Sequence, residues 1–136
     1  MKVTGSCFCG AVGYEAEIDE KRIGACHCRD CQIMSGSAFR LAAFVQPGDF
    51  RFTHGTPKHF DKTADSGNVR RMAFCGDCGT HLSAFPADGG KGYVSIRIAT
   101  AKEFADLRPS LEVYCDSGVR WLPPVNGAAR FEKMPS

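Results

Sequence analysis

Long apolar runs are missing from this chain. The longest is Leu41 to Val45, far short of the ~18–20 residues that cross a bilayer as a helix, so no membrane span is expected. The stretch Met1-Lys2-Val3-Thr4-Gly5-Ser6-Cys7 lacks both the apolar core of ~7–15 residues and the small-residue cleavage pattern of a secretory signal. A reducing, cytoplasmic setting is the resulting expectation. Blocks of like charge are missing too: the formal net charge is +2, and no basic run is longer than the pair Arg70-Arg71. That argues against the basic footprint by which nucleic acid is held, so no nucleic-acid partner is expected. Helical patterning is scarce. It is confined to a turn or two after Arg29 and to Thr100-Ala101-Lys102-Glu103-Phe104-Ala105-Asp106, which opens with a Thr-x-x-Glu capping box.

What is present fits one folded domain spanning 1–136, with 43% hydrophobic and 24% charged residues. Short alternating stretches recur: Val12 to Ile18, Phe39 to Val45, Phe50 to Phe52, Val69 to Phe74, Tyr93 to Ile98 and Leu111 to Tyr114. They read as strands. Between them stand turn signals at Gln46-Pro47-Gly48-Asp49, His54-Gly55-Thr56-Pro57, Asp65-Ser66-Gly67-Asn68 and Pro86-Ala87-Asp88-Gly89-Gly90. The fold class is mainly β, with antiparallel sheets in a sandwich or barrel-like arrangement and one or two short helices. The segment 121–127, rich in proline, is expected to be an extended loop before a tail that wraps the sheet.

Cysteine carries the chemistry. Seven of the eight cysteines lie in three clusters: Cys7-Phe8-Cys9-Gly10, Cys26-His27-Cys28-Arg29-Asp30-Cys31 and Cys75-Gly76-Asp77-Cys78-Gly79. In a reducing compartment such clusters are metal ligands or catalytic thiols more often than disulfides. A Cys-x-Cys pair on extended backbone puts both sulfurs on one face, and a Cys-x₂-Cys turn aims two sulfurs at one ion. Cys7, Cys9, Cys75 and Cys78 can thus close a four-thiolate zinc site of the structural kind. Two other partitions compete: a zinc ribbon from Cys28, Cys31, Cys75 and Cys78, whose separation exceeds the ~15–20 residues usual for that motif, and four disulfides.

The remaining trio, Cys26, Cys28 and Cys31, offers three ligands within six residues. Zinc held by three protein ligands keeps a fourth position open, which catalysis needs. His27, between two ligands on an extended segment, should face the other way. Three thiolates leave a zinc site net negative and a fourth deepens this, so nearby cations are wanted; Arg29, Arg40, Arg70 and Arg71 are candidates. Ser35, Gly36 and Ser37 could offer donors to a bound ligand, or form only a turn. His54, His59 and His81 are scattered, and each reads as an ordinary histidine.

These motifs resemble a known family. Gly5 to Gly10, Cys26 to Cys31 followed by Ser35-Gly36-Ser37-Ala38-Phe39, and Phe74 to Thr80 are similar, in that order, to the glutathione-dependent formaldehyde-activating family, which includes centromere protein V. Val113-Tyr114-Cys115-Asp116-Ser117 and Trp121-Leu122-Pro123 extend the likeness. Cys115 and Arg120 depart from it, standing where a non-thiol residue and a proline are usual. The resemblance implies a fold like that of the methionine-R-sulfoxide reductases and the zinc-binding Rab chaperone. It also implies two Zn2+ per chain, a structural one on Cys7, Cys9, Cys75 and Cys78 and a second on Cys26, Cys28 and Cys31. The implied activity is that of a carbon–sulfur lyase of the S-(hydroxymethyl)glutathione synthase type, joining glutathione or a related thiol to formaldehyde or another small aldehyde, with Ser35, Gly36 and Ser37 on the glutathione side. Two alternatives stay open: a non-catalytic zinc-stabilised thiol- or protein-binding module, with Cys115 closing the second site, and a methionine-sulfoxide-reductase-like enzyme using Cys115 on an apolar strand.

Overall fold

Short alternating segments pair into two open sheets. The computed structural model describes every residue except Asp65, Gly90 and Ser136. The expected turns at 65–68 and 86–90 therefore fall partly outside the described residues. In chain order the elements are β1 (Lys2–Ser6), β2 (Gly13–Glu17), β3 (Ile23–Cys26), α1 (Arg29–Ser35), β4 (Arg40–Val45), β5 (Phe50–His54), β6 (Lys58–Thr63), β7 (Val69–Phe74), β8 (His81–Pro86), β9 (Val94–Ile96), β10 (Leu111–Val113) and β11 (Ala129–Arg130). The small sheet has the order β1-β2-β5, and the large one β11-β10-β3-β4-β9-β8-β7-β6. Pairing is antiparallel except at one end, where β10 runs parallel to both β3 and β11.

The two sheets share one core, the sandwich form of the expectation. Val3 and Tyr14 from the small sheet meet Ile23, Leu82 and Ile96 from the large one, all with exposure of 1% or less. Each such side chain contributes roughly 1.5–3 kcal/mol relative to exposure. Tyr14 also seams the sheets: its hydroxyl is 2.8 Å from Thr100 Oγ1, and its ring fills the space over Gly5, where a Cβ would lie 2.5 Å from the ring. Lys102 N donates to Thr4 O across the same seam.

Three expectations need correction. Thr100–Asp106 is not an α-helix but two single 3-10 turns, Ile98–Thr100 and Phe104–Asp106. Its capping box is unmade, because Thr100 Oγ1 bonds Arg97 O and the Glu103 carboxylate is taken by Thr4 N. Cys115 lies in a 3-10 turn, Cys115–Ser117, just past β10 rather than on a strand. The tail does more than wrap: β11 pairs with β10, and Phe131 N donates to Glu112 O. Among the described residues, no helix is long and apolar enough to cross a membrane.

Candidate metal centres

Two look-alike turns build the four-sulfur cluster. After β1 the chain turns at Cys7, with Gly10 N donating to Cys7 O and Cys7 N to Val12 O; after β7 it turns at Cys75, with Gly79 N donating to Cys75 O and Cys75 N to Thr80 O. Gly10 and Gly79 close these turns at φ +81° and +79°, a left-handed conformation that a side chain would strain. The turns face each other, latched by Phe8 N to Thr80 Oγ1 at 3.1 Å. All four sulfurs of Cys7, Cys9, Cys75 and Cys78 lie within 4.8 Å of one another. Cys9 Sγ is 3.7 Å from both Cys7 Sγ and Cys75 Sγ. A tetrahedron with zinc–sulfur bonds of ~2.3 Å has edges of about 3.8 Å, so this donor set fits zinc. Val12 N and Asp77 N donate to Cys7 Sγ and Cys75 Sγ at 3.3 and 3.4 Å, the amide contacts that a thiolate ligand wants.

The second cluster sits at the end of β3, where the strand becomes α1. Cys26, Cys28 and Cys31 bring their sulfurs within 4.8 Å of one another, and among the described residues no fourth metal-binding side chain joins them. Cys28 is the N-cap of α1, its sulfur accepting from Cys31 N at 3.3 Å. Gln32 holds the loop from the other side, donating from Nε2 to His27 O and Ser117 O. Without a cation the thiols compete for one negative charge. Hydrogen bonds from Cys26 and Cys31 hold Cys28 far below a free thiol, and the Cys28 contact pushes Cys26 well above one.

The trio opens on a cleft of ≈ 550 Å³. Arg29, Arg40, Lys62, Arg70, Arg97 and Lys133 line it, together with Asp30, Tyr93 and Tyr114. Asp30 is paired with Lys62 at 2.7 Å, and Lys133 with Asp116 at 2.6 Å. Arg70 lies 4.5 Å from the Tyr93 ring centre and donates to Tyr93 O and Ala84 O. Burial raises the Tyr114 phenol, and charge on Cys26 and Cys28 adds to the effect. Tyr114 also has φ +54°, the single non-glycine residue in the left-handed region among those described. Such strain tends to mark functional positions.

Behind the trio lies a second polar group. The β3–β10 register aligns Cys26 with Val113, and His27 N donates to Val113 O. His27 turns away from the sulfurs, as its place in the Cys-x-Cys pattern implied, and its Nε2 is 2.9 Å from Glu112 Oε1. Glu112 is 1% exposed and also accepts from Val125 N and Arg130. Burial works against its charge, but the Val125 amide, His27 and Arg130 together hold the carboxyl below the usual range. Cys115 lines a small cavity of ≈ 50 Å³ here with His27, Glu112 and Arg130, rather than joining the trio.

Other residues singled out above scatter. Ser35 and Ser37 do not line the cleft of the trio; they line a neighbouring cavity of ≈ 480 Å³, and Gly36 closes α1 as its C-cap at φ +66°. Arg71 pairs with Asp61 on the surface, whereas Arg29, Arg40 and Arg70 reach the cleft. Arg97 and Lys62 were missed. For Arg97 a signal existed, a charge inside the apolar run Val94 to Ile98. Lys62 sits on β6, whose polar sequence carries no alternation.

Fold and site define a class: a β-sheet protein with a closed four-cysteine cluster and an open three-cysteine cluster on the floor of a cationic cleft. The model of the family described as "Glutathione-dependent formaldehyde-activating enzyme" matches residues 2–117, and the chain belongs to this family. The protein is similar to "Uncharacterized lyase C29B12.13" of Schizosaccharomyces pombe, 30% identical over 89 residues, which is 65% of this chain and 61% of that one. The match thus spans somewhat under two-thirds of that relative. A crystal structure of a Rhodobacter sphaeroides protein superposes with a TM-score of 0.58 at 18% identity, covering 94% of this chain and 98% of the other. That likeness concerns the fold alone.

Proposed function

We propose that the protein is a zinc-dependent carbon–sulfur lyase of the S-(hydroxymethyl)glutathione synthase type, joining glutathione or a related thiol to formaldehyde or another small aldehyde. The observation that carries this is the open trio: three converging sulfurs, without a fourth side-chain ligand among the described residues, on the floor of a cleft lined by six cationic side chains. Family membership and the lyase description of the yeast relative support the same reaction class. Cys7, Cys9, Cys75 and Cys78 are the structural ligands, and Cys26, Cys28 and Cys31 hold the second ion. Zinc bound there supplies an open coordination position and makes a thiol more acidic.

The chain's own residues do the rest. Arg29, Arg70 and Lys133 meet the carboxylates of a peptide thiol as it enters the cleft. Arg40 and Arg97 line both the cleft and the neighbouring cavity, so a peptide passing them meets Ser35 and Ser37. In the reaction the thiolate sulfur forms a bond to the aldehyde carbon, the carbonyl π pair moves to oxygen, and that oxygen takes a proton. Tyr93, Tyr114 and Lys62 line the cleft as the proton donors for this step. Calorimetric titration of glutathione into zinc-loaded protein, beside S-methylglutathione, tests the reading. Binding of one glutathione per chain and none of the S-methyl form is expected. Equal binding of both, or of neither, would overturn it.

A further inference from the structure

Two arginines next to the trio have no carboxylate partner among the described residues. Arg97, which follows β9, is 6% exposed; its Nη1 donates to Ser95 Oγ at 2.7 Å, its Nη2 contacts Met72 Sδ at 3.4 Å, and its Nε has no partner. Arg40 starts β4 directly opposite Cys26, so the two side chains share a face, and its buried Nη1 also has no partner. Neither arginine is in an ion pair among the described residues. Both line the cleft of the trio and the neighbouring cavity, forming the wall between them. A buried, unpaired guanidinium is strongly unfavourable, and two neighbours of like charge are worse. The thiols beside them are the cysteines: Cys26, Cys28 and Cys31 line the same cleft as both arginines, and Arg40 stands directly across the strand pair from Cys26.

We propose that Arg40 and Arg97 are the built-in counter-charge of the three-cysteine site, positioning residues that hold the loaded trio and an incoming thiolate as a neutralised unit. The proposal deepens the functional reading above and rests on the trio being a metal site. It answers the electrostatic objection to that site, because the negative charge added by a fourth thiolate meets cations already in place. It also gives the arginines a state-dependent effect. With the trio loaded they are compensated; with the trio uncharged, buried Arg97 and half-buried Arg40 are like charges in one cleft.

The test compares Arg97→Met, Arg40→Met and Arg97→Lys in two backgrounds: the protein with both clusters zinc-loaded, and a Cys26→Ser/Cys28→Ser/Cys31→Ser variant that keeps the four-sulfur cluster. Competition with a chromophoric chelator reads the affinity of the trio for zinc, and thermal melting reads stability. Each methionine variant is expected to weaken zinc at the trio about tenfold or more, with Arg97→Lys recovering most of the loss. Arg97→Met is expected to lower the melting temperature of the loaded protein but raise it, or leave it unchanged, in the serine background. Equal falls in both backgrounds would show a packing role only, and zinc affinities within twofold of the parent would also overturn the proposal. Should zinc weaken and the melting shifts split as stated while no variant binds glutathione, the counter-charge stands and the lyase reading fails.

Discussion

Replacing Glu112 with leucine removes the acceptor at the junction of β3, β10 and the carboxy-terminal tail. Glu112 is 1% exposed and takes three donors: His27 Nε2 at 2.9 Å, Val125 N at 3.0 Å and Arg130. His27 is 5% exposed and cannot turn to water; leaving such a donor unmet costs about 1–3 kcal/mol. Val125 N adds roughly 1 kcal/mol, and Arg130, whose side chain is 42% exposed, rehydrates cheaply. The expected loss is about 3 kcal/mol, at the lower edge of the ~3–5 kcal/mol usual for breaking a buried pair. For a domain of this size that lowers the melting temperature by roughly 10 °C. Glu112→Gln keeps one acceptor oxygen and the shape, and should lose less than half as much. Urea denaturation of both variants at one fixed zinc concentration reads the difference, since free metal shifts apparent stability. A leucine loss under about 1 kcal/mol, or a glutamine variant as damaged as the leucine one, would refute the reasoning.

Other outcomes follow from the same contacts. Because the Glu112 carboxyl is held below its usual range in the folded protein, its contribution is fully present above the unfolded value of ~4.3 and is lost as pH falls through the folded value. The stability gap between the parent and Glu112→Gln should therefore close in acid, as denaturation series from neutral pH down to about pH 3 would show. Cys9→Ser, in the four-sulfur cluster, should remove one zinc and abolish the cooperative melt, whereas Cys28→Ser should remove one zinc and leave the circular dichroism spectrum intact; native mass spectrometry with dichroism distinguishes them. Arg71→Ala breaks only the exposed pair with Asp61 and should change stability by less than about 1 kcal/mol in the same urea assay.

Local geometry was the legible part of this molecule. Close cysteine spacing pointed to both clusters, and extended backbone at Cys28 gave the outward turn of His27, but Cys7 and Cys9 meet in a turn after β1 rather than on the extended segment expected of them. Strands with alternating apolar residues, such as β2, β4 and β7, were equally plain. β6 was invisible because Lys58–Thr63 is a mostly exposed edge whose one apolar residue, Phe60, is itself exposed, and β3 because its Gly24 and Ala25 carry little strand signal. The parallel pairing of β10 between β3 and β11 joins residues far apart in the chain, which periodicity cannot report. The Thr100 capping box failed because its Glu103 partner found Thr4 N on another strand, a tertiary contact overriding a local signal. Arg97 was overlooked although it interrupts an apolar run, because the cleft it shares with Arg40 and the three cysteines forms only on folding.

The claim that this protein catalyses thiol addition to an aldehyde is tested most directly by exchange-detected NMR on ¹³C-formaldehyde with glutathione, recorded with the zinc-loaded protein, with Cys28→Ser and with no protein. Formation of the S-hydroxymethyl adduct should be faster with the parent protein and return to the protein-free rate with Cys28→Ser. Equal rates in all three samples, with glutathione still bound by the parent, would contradict the account and leave a zinc-stabilised thiol-binding module in its place.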